Sequence, residues 1–266
     1  MTAGATPPGP RDLPDHEVRE LRLKAHRHAL VIPVINEGER IRRQLARIAA
    51  LSPPVDVVVA DGGSTDGSLD DGSLSAGQVR ALLTKRGPGR LSAQLRMAYA
   101  WCLDQQYDGV ITVDGNGKDG VEAISRFVEM LDQGYDLVQG SRYLPTAVAE
   151  NTPLDRKLAG RLLHAPVISL AAGYRYTDTT NGFRAYSARM LADPAVAPFR
   201  SVFDRYNLLF YLSVRGPRLG YRVTEIPVSR RYPKAEATPT KISGWSGRIL
   251  ILRELFGAVA GRYNPS

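Results

Sequence analysis

The chain has 266 residues, of which 43% are apolar and 23% charged, and its formal net charge is +8. This size and apolar content suit one large α/β domain, and the basic excess predicts an anionic partner such as a nucleotide or a membrane surface. The single cysteine, Cys102, excludes an internal disulfide framework, and no apolar run approaches the roughly 20 residues that a membrane-spanning helix needs.

The first half of the sequence alternates between strand and helix patterns. Residues 1–25 are predicted as a disordered leader followed by a short helix at 15–24. The predicted strands that follow are 29–35, 55–60, 79–84, 109–113 and 136–139, and the main predicted helices are 39–51, 91–105 and 121–133. Short connections between such elements indicate a Rossmann-like, mostly parallel sheet with helices on both faces.

Beyond Ser141 this alternation ends. The sequence predicts a long helical segment at 154–172 with a kink at Pro166, a strand at 181–187, a helix at 206–214, a strand at 221–228 and a terminal helix at 247–261. We interpret this part as an elaboration of the same sheet. The predicted organisation is a leader and short helix at 1–25, one main domain at 26–245, and an amphipathic helix and tail at 246–266.

Polar loops follow the first two predicted strands. Pro33 stiffens the approach to Asn36 and Glu37, which could bind the edge of a nucleotide base; the alternative is a helix start with Asn36 as its cap. Asp61 ends a buried strand before two glycines and could accept a hydrogen bond from a base or a ribose hydroxyl. For Asp66 we favour an Asx turn with a capping role.

A third loop carries the strongest signal. Asp114 follows a β-branched strand and begins the run Asp-Gly-Asn-Gly-Lys-Asp, a layout with which α/β enzymes present a carboxylate to a metal–diphosphate complex. An EF-hand calcium loop is excluded because Lys118 replaces an oxygen ligand, Asp119 replaces the required glycine, and Ser125 replaces the terminal glutamate.

Taken in order, these segments resemble the family-2 glycosyltransferases of GT-A fold. The nearest branch is that of the dolichyl- and polyprenyl-phosphate hexose transferases, in which a Gly-Ser-Arg-Tyr strand and a Gly-Phe-Arg turn recur. The resemblance extends over roughly 29–242, and its matching segments are 31–37, 57–67, 109–116, 137–143, 178–186 and 220–228.

The resemblance implies a donor site for a nucleotide-diphosphate sugar. The residues it assigns to the nucleoside are Pro33, Asn36, Glu37, Asp61 and Asp114. It also implies Mg²⁺ or Mn²⁺ bound by Asp114 and Asn116, since a divalent metal stabilises the departing diphosphate. The chain departs from the pattern, because Asn116 replaces a carboxylate and Lys118 adds a positive charge, and both changes should weaken metal binding.

The resemblance further implies phosphate contacts from basic residues, for which a solvated surface charge is the alternative. The candidates are Arg142, Arg184, one residue of the Arg230–Arg231 pair, for which we name Arg231, and Lys241. Arg142 and Asp114 are also predicted to be catalytic. If the acceptor is a hydroxyl, Asp178 or Asp204 could serve as the base; an ionised phosphate acceptor needs none.

The sequence therefore predicts an inverting glycosyltransferase that moves a hexose from a nucleotide-diphosphate sugar to a polyprenyl phosphate or a similar carrier in glycan biosynthesis. The alternatives are a hydroxyl acceptor on a small molecule or glycan, and a non-catalytic sugar-nucleotide-binding protein. We expect a cytoplasmic location, with segments 154–172 and 249–260 lying along the inner membrane surface or packing in the core. Nucleic acid is not an expected partner, because no basic motif interleaved with aromatic residues is present. The sequence leaves the oligomeric state open.

Overall fold

The computed structural model describes residues 11–152, 154–232 and 244–265. Its strands, in chain order, are β1 His16–Glu20, β2 His28–Val34, β3 Asp56–Asp61, β4 Val79–Lys85, β5 Gly109–Thr112, β6 Leu137–Ser141, β7 Val148–Glu150, β8 Arg184–Ser187, β9 Val223–Pro227 and β10 Ser229–Arg231. Its α-helices are α1 Glu39–Leu51, α2 Asp71–Ala76, α3 Leu91–Asp104, α4 Ile124–Asp132, α5 Leu154–Ala159, α6 Ala165–Ala172, α7 Ala188–Ala192, α8 Asn207–Arg218 and α9 Gly244–Val259. A 3₁₀ turn, Val121–Ala123, leads into α4, and a π-helical turn, Gly160–His164, joins α5 to α6.

The main sheet has the strand order β1-β4-β3-β2-β5-β8-β6-β9, while β7 and β10 form a small parallel sheet. Strands β4, β3, β2 and β5 are parallel neighbours, and β8 runs antiparallel to both β5 and β6. This arrangement confirms the predicted α/β class with a mostly parallel, Rossmann-like sheet.

The core lies on both faces of this sheet, because the central parallel strands are buried on both sides. In β2 the side chains alternate, with Ala29 and Val31 in one apolar cluster and Leu30 and Ile32 in the other. Helix α3 covers the first face, while α1 and α4 cover the second. The β-branched and aliphatic runs of the sequence therefore became the centre of the fold.

The chain reverses its direction of winding between β2 and β5. From β2 it adds β3 and β4 on one side, and it then returns to place β5 on the other side of β2. Ligands of open α/β sheets bind at the carboxyl ends of the strands beside such a reversal. The loops that carry Asn36, Asp61 and Asp114 all begin at this edge.

Two local predictions were wrong. Residues 15–24 do not form a helix; His16–Glu20 is an edge strand antiparallel to β4. Their charged pattern suits an exposed edge strand as well as an exposed helix, and pairing with β4 decides between them. The irregularity of segment 154–172 is the π-helical turn at Gly160–His164, while Pro166 lies in the first turn of α6, where proline is tolerated.

No helix in the described ranges is long and apolar enough to cross a membrane. The terminal helix α9 packs one face on the core through Leu255 and Ala258, while Ile249 and Phe256 are about half exposed. The division of the chain at 25/26 and 245/246 stays a prediction.

The central position of β2 predicts a large stability cost for truncation there. Leu30→Ala should lower the free energy of unfolding by about 2–5 kcal/mol, because Leu30 is fully buried. Leu23→Ala is a matched control, since Leu23 is 91% exposed, and it should change stability by no more than about 0.5 kcal/mol. Urea unfolding followed by circular dichroism measures both; equal effects would contradict this placement of β2.

Candidate active site at the carboxyl edge of the sheet

The loops after β2 and β3 are held together by hydrogen bonds. The Ser64 backbone N–H donates to the Asp61 carboxylate at 2.9 Å, and its hydroxyl donates to the same oxygen at 2.6 Å. Asn36 donates its N–H to the Ser64 hydroxyl and accepts from the Thr65 N–H at 2.8 Å. Asn36 has φ of 50°, in the left-handed region that asparagine tolerates better than most residues. These contacts bring two of the predicted nucleoside-binding residues, Asn36 and Asp61, together through Ser64.

The start of α1 differs from the cap that we considered for Asn36. The cap residue is Gly38, whose N–H donates to the Asp66 carboxylate at 2.8 Å. The Asx turn expected at Asp66 is also formed. Glu37 is mostly buried and pairs with Arg40 at 3.0 Å.

The third loop lies directly against the end of β2. The Gly115 N–H donates to the Pro33 carbonyl, and a Cβ at Gly115 would lie 2.9 Å from that oxygen, so only glycine fits this approach. Gln44 of α1 holds the loop on its other side: its amide donates to the Asp114 carbonyl and accepts from the Gly117 N–H, at 2.9 and 2.8 Å. Sequence reasoning missed Gln44, whose only signal is a polar residue on the apolar face of an amphipathic helix.

Arg230 lies between two acidic residues of this loop. Its Nη1 donates to Asp119 Oδ2 at 2.5 Å and its Nη2 to Asp114 Oδ2 at 3.1 Å. Burial opposes the charged form, but Asp119 and Asp114 together raise the pKa of Arg230. Burial raises the pKa of Asp119, and the charge of Arg230 offsets only part of this.

The structure places Arg231, which we named from the sequence, away from this cluster. Arg231 is 60% exposed and pairs with Glu150 at 3.2 Å. Because successive strand residues point to opposite sides, Arg230 is the member of the pair that reaches Asp114. A sequence alone does not say which of two adjacent arginines faces inward.

The side chains around Asp114 do not fit a metal held between two carboxylates. Asp114 Oδ2 accepts from Arg230 and lies 3.4 Å from the Asn116 amide nitrogen, while the Asn116 oxygen accepts from the Lys118 N–H. Asp119 is paired with Arg230. Within 11–152, 154–232 and 244–265, no three His, Cys, Asp or Glu side chains converge to hold a metal. The predicted Mg²⁺ or Mn²⁺ at Asp114 and Asn116 stays a prediction.

Arg142 and Asp178 form a second buried ion pair. Arg142 donates Nε and Nη2 to the two carboxylate oxygens at 2.7 and 2.9 Å, and Nη2 also donates to Thr180 at 2.6 Å. Burial alone would raise the pKa of Asp178, but the hydrogen bonds and charge of Arg142 hold it below its usual range. A carboxylate held in this way is a poor general base. The arginine fork is likewise occupied by Asp178.

Arg184 is a structural residue in this fold. Its guanidinium is fully buried and donates to the carbonyls of Asn181, Leu209 and Thr179 and to the Ser213 hydroxyl. The donors that phosphate would need are used to hold the Gly-Phe-Arg turn against α8. We therefore leave Arg184 out of the proposed phosphate contacts.

Tyr143 joins Arg142 to a further arginine that the sequence did not single out. Its ring lies 5.5 Å from the Arg142 guanidinium and 5.4 Å from that of Arg161, which is exposed on the π-helical turn. We call these three residues the arginine–tyrosine stack. The remaining phosphate candidate, Lys241, lies outside the described residues.

The sequence pattern of glycosyl transferase family 2 matches residues 29–199. The chain belongs to this family. It is 32% identical over 222 residues to the undecaprenyl-phosphate mannosyltransferase of Micrococcus luteus, a match that covers 80% of this chain and 86% of that protein. It is also 26% identical over 259 residues to the polyprenol monophosphomannose synthase of Mycolicibacterium smegmatis, and this match covers 96% of each chain.

The fold is shared with solved glycosyltransferases. Glucosyl-3-phosphoglycerate synthase from Mycobacterium tuberculosis, in complex with Mn²⁺, uridine diphosphate and phosphoglyceric acid, aligns with a TM-score of 0.58 at 16% identity over 90% of this chain and 79% of that one. The protein is a nucleotide-sugar-dependent glycosyltransferase of GT-A fold. The resemblance stated from the sequence is thereby confirmed.

The buried pair of Arg142 and Asp178 predicts a specific pattern of stability changes. Arg142→Met should lower the free energy of unfolding by about 3–5 kcal/mol, because it leaves a buried carboxylate without a partner. Adding Asp178→Asn should recover part of this loss. Urea unfolding of the single and double variants measures the recovery, and equal losses in both would contradict the ion pair.

The free energy that the pair of Arg142 and Asp178 contributes to folding should depend on pH. Because the pKa of Asp178 is lowered on folding, its contribution to stability is present above the unfolded value of about 3.9 and is lost as pH falls through the folded value. The stability advantage of the wild type over the double variant should therefore shrink below about pH 4.

Proposed function

We propose that the protein transfers a hexose from a nucleotide-diphosphate sugar to a polyprenyl phosphate, with inversion at the anomeric carbon. The observation that carries the proposal is the position of Arg161, the exposed guanidinium of the arginine–tyrosine stack, in the same segment as a stripe of exposed leucines. A phosphate on a long apolar chain matches both features, whereas a free sugar or a small polar acceptor matches only the first.

The leucine stripe is defined by residues of α5, the π-helical turn and α6. Leu154, Leu158 and Leu162 recur at intervals of four and are 68%, 48% and 73% exposed, while Leu170 is 85% exposed. Arg161 belongs to the same segment, so a guanidinium and apolar side chains share one surface. Such a surface favours an anionic lipid or membrane headgroup layer. This supports a peripheral contact with an anionic membrane.

The donor half of the proposal rests on the cluster at the carboxyl edge of the sheet. In the proposed donor site Asn36, Glu37 and Asp61 line the nucleoside pocket, beside Pro33, which precedes the last residue of β2. Asp114 lies next to Gly182, where a Cβ would come within 2.6 Å of its Oδ1. Glycine at this position therefore lets the backbone of the turn before β8 approach the Asp114 carboxylate, which a side chain there would displace.

The reaction requires little of the protein as an acid or base. An oxygen of the acceptor phosphate attacks the anomeric carbon, the bond from that carbon to the donor phosphate oxygen breaks, and the nucleoside diphosphate leaves with the electron pair. Since a phosphate is already ionised, no proton must be removed from it. The engagement of Asp178 by Arg142 therefore supports a phosphate acceptor.

A hydroxyl acceptor is the second candidate, and it depends on Asp204. This carboxylate is about half exposed, and its nearest cation is Arg205 at 3.6 Å. It could accept a proton where Asp178 could not. The two candidates differ in their products.

Product analysis tests the proposal. The protein is incubated with isotope-labelled GDP-mannose or UDP-glucose and either a short-chain polyprenyl phosphate or the matching polyprenol. We expect labelled lipid only with the phosphate. Glycosylation of the polyprenol alone would favour the hydroxyl candidate, and donor binding without transfer to any acceptor would contradict both.

Asp114 should be required for transfer but not for folding. We expect Asp114→Ala to lower kcat by at least about a hundredfold, because Arg230 would lose one of the two carboxylates that hold its positive charge beside the departing diphosphate. Asp71→Ala is the matched control, since Asp71 is 84% exposed on α2. Steady-state kinetics with circular dichroism as the folding check measures both, and near-normal turnover of Asp114→Ala would contradict this donor site.

Vesicle sedimentation tests the leucine stripe. The triple variant Leu158→Ser, Leu162→Ser, Leu170→Ser should bind vesicles of phosphatidylethanolamine and phosphatidylglycerol at least about tenfold more weakly, since each buried leucine contributes about 1.5–3 kcal/mol. Leu23→Ser removes an exposed leucine that follows β1 and does not belong to the stripe, and it should bind like the wild type. Unchanged binding of the triple variant would contradict a membrane role for this surface.

A further inference from the structure

Arg230 lies between the carboxylates of Asp114 and Asp119, which belong to the loop after β5 that is proposed to bind the donor diphosphate. We infer that this guanidinium is the resident cation of the site, so that the donor diphosphate binds without a divalent metal. The inference rests on the proposed function for its ligand, a nucleoside diphosphate. It goes beyond that function by naming the group that supplies the positive charge opposite the donor diphosphate.

The first argument is geometric. A metal that bridged Asp114 and Asp119 would have to displace a guanidinium that already donates to both, at 3.1 and 2.5 Å. A metal added without displacement would lie against a positive group in a region of low dielectric, where repulsion between like charges is strong. Arginine is also charged at every working pH, so the position is always filled.

The second argument is the way in which Arg230 is held. It belongs to β10, which pairs with β7, and its backbone forms an isolated bridge with Asp119. The side chain is 9% exposed, and its guanidinium also lies 5.6 Å from the Tyr232 ring. Backbone, carboxylates and ring thus fix the charge in one place, as electrostatic preorganisation requires.

The third argument is the burial of Asp119. Its side chain is fully buried, and its second oxygen, Oδ1, has no hydrogen-bond partner among the described residues. Burying a carboxylate is costly unless it is paired, and Arg230 is the cation that pairs with it here. Asp119 is therefore explained as the anchor of Arg230.

Lys118 adds to the positive charge of the same loop. Its ammonium lies 5.2 Å from the ring of Tyr232, and the guanidinium of Arg230 contacts the same ring. The lysine stands where a metal-binding loop would carry an oxygen ligand, and Asn116 removes a further negative charge. Both departures change the loop in the direction that the inference requires, toward lower affinity for metal and higher affinity for phosphate.

Calorimetry of nucleotide binding tests the inference. Wild-type protein treated with a chelator is titrated with GDP, UDP, CDP, ADP and dTDP, with and without Mn²⁺. For the nucleotide that binds, we expect Mn²⁺ to change Kd by no more than about threefold.

The informative variant is Arg230→Met combined with Asp119→Asn, because it removes both partners of the buried pair and leaves without its cation only Asp114, whose side chain is 29% exposed. Its metal-free affinity for the same nucleotide should fall at least about tenfold. In the absence of nucleotide it should bind Mn²⁺ at least about tenfold more tightly than the wild type, measured by electron paramagnetic resonance, because Asp114 is released. Arg43→Met, a 78% exposed position on α1, is the control and should behave like the wild type.

The outcomes separate this inference from the proposed function. If the wild type binds a nucleotide only with Mn²⁺, the inference is overturned while the donor class stands. Unchanged metal-free affinity in the double variant would also overturn it. If no nucleoside diphosphate binds under either condition, the proposed donor site fails and the inference fails with it.

Discussion

The structure depends on the parallel register of β3, β2 and β5. Backbone hydrogen bonds align these three strands, so their carboxyl ends meet at one edge, and the reversal of winding beside β2 leaves a crevice there. Every residue proposed for the nucleoside follows from this alignment. Pro33 is the penultimate residue of β2, Asp61 ends β3, and Asp114 lies in the loop after β5. The apolar clusters on both faces of the sheet keep the register fixed, because a shift by one residue would move the side chains of one cluster into the other.

Two buried ion networks order the charged groups near this edge, one between the two halves of the chain and one within the second half. Arg230 connects β10 to Asp114 and Asp119, and Arg142 connects the end of β6 to Asp178 in the turn before β8. Such pairs contribute little net stability relative to apolar packing, but they are costly to break singly. Their value here is positional. They hold charged groups near the loop after β5 in fixed positions, which suits a transfer in which the acceptor arrives already ionised.

Much of the fold could be predicted because its signals are local. The β-branched runs at β2, β3 and β5 and the amphipathic pattern of α1 predict their elements almost to the residue, since burial on one or both sides dictates the composition. Prediction failed at β1, where a short charged segment is compatible with helix or strand and only β4 decides. It also missed the pairing of β7 with β10, because two three-residue strands far apart in sequence carry no periodic signal.

For the site, the sequence by itself determined which residues stand at the strand ends, and it identified the donor class through their order. It also showed that Asn116 and Lys118 depart from the metal-binding pattern of the family. Only the tertiary structure decided which arginine faces Asp114, that Asp178 is bound to Arg142, and that Arg184 supports a turn. The physical reason is that the role of a charged side chain depends on its partner, and folding brings together partners that are distant in the sequence: Arg142 and Asp178 are 36 residues apart, and Arg230 and Asp114 are 116 apart.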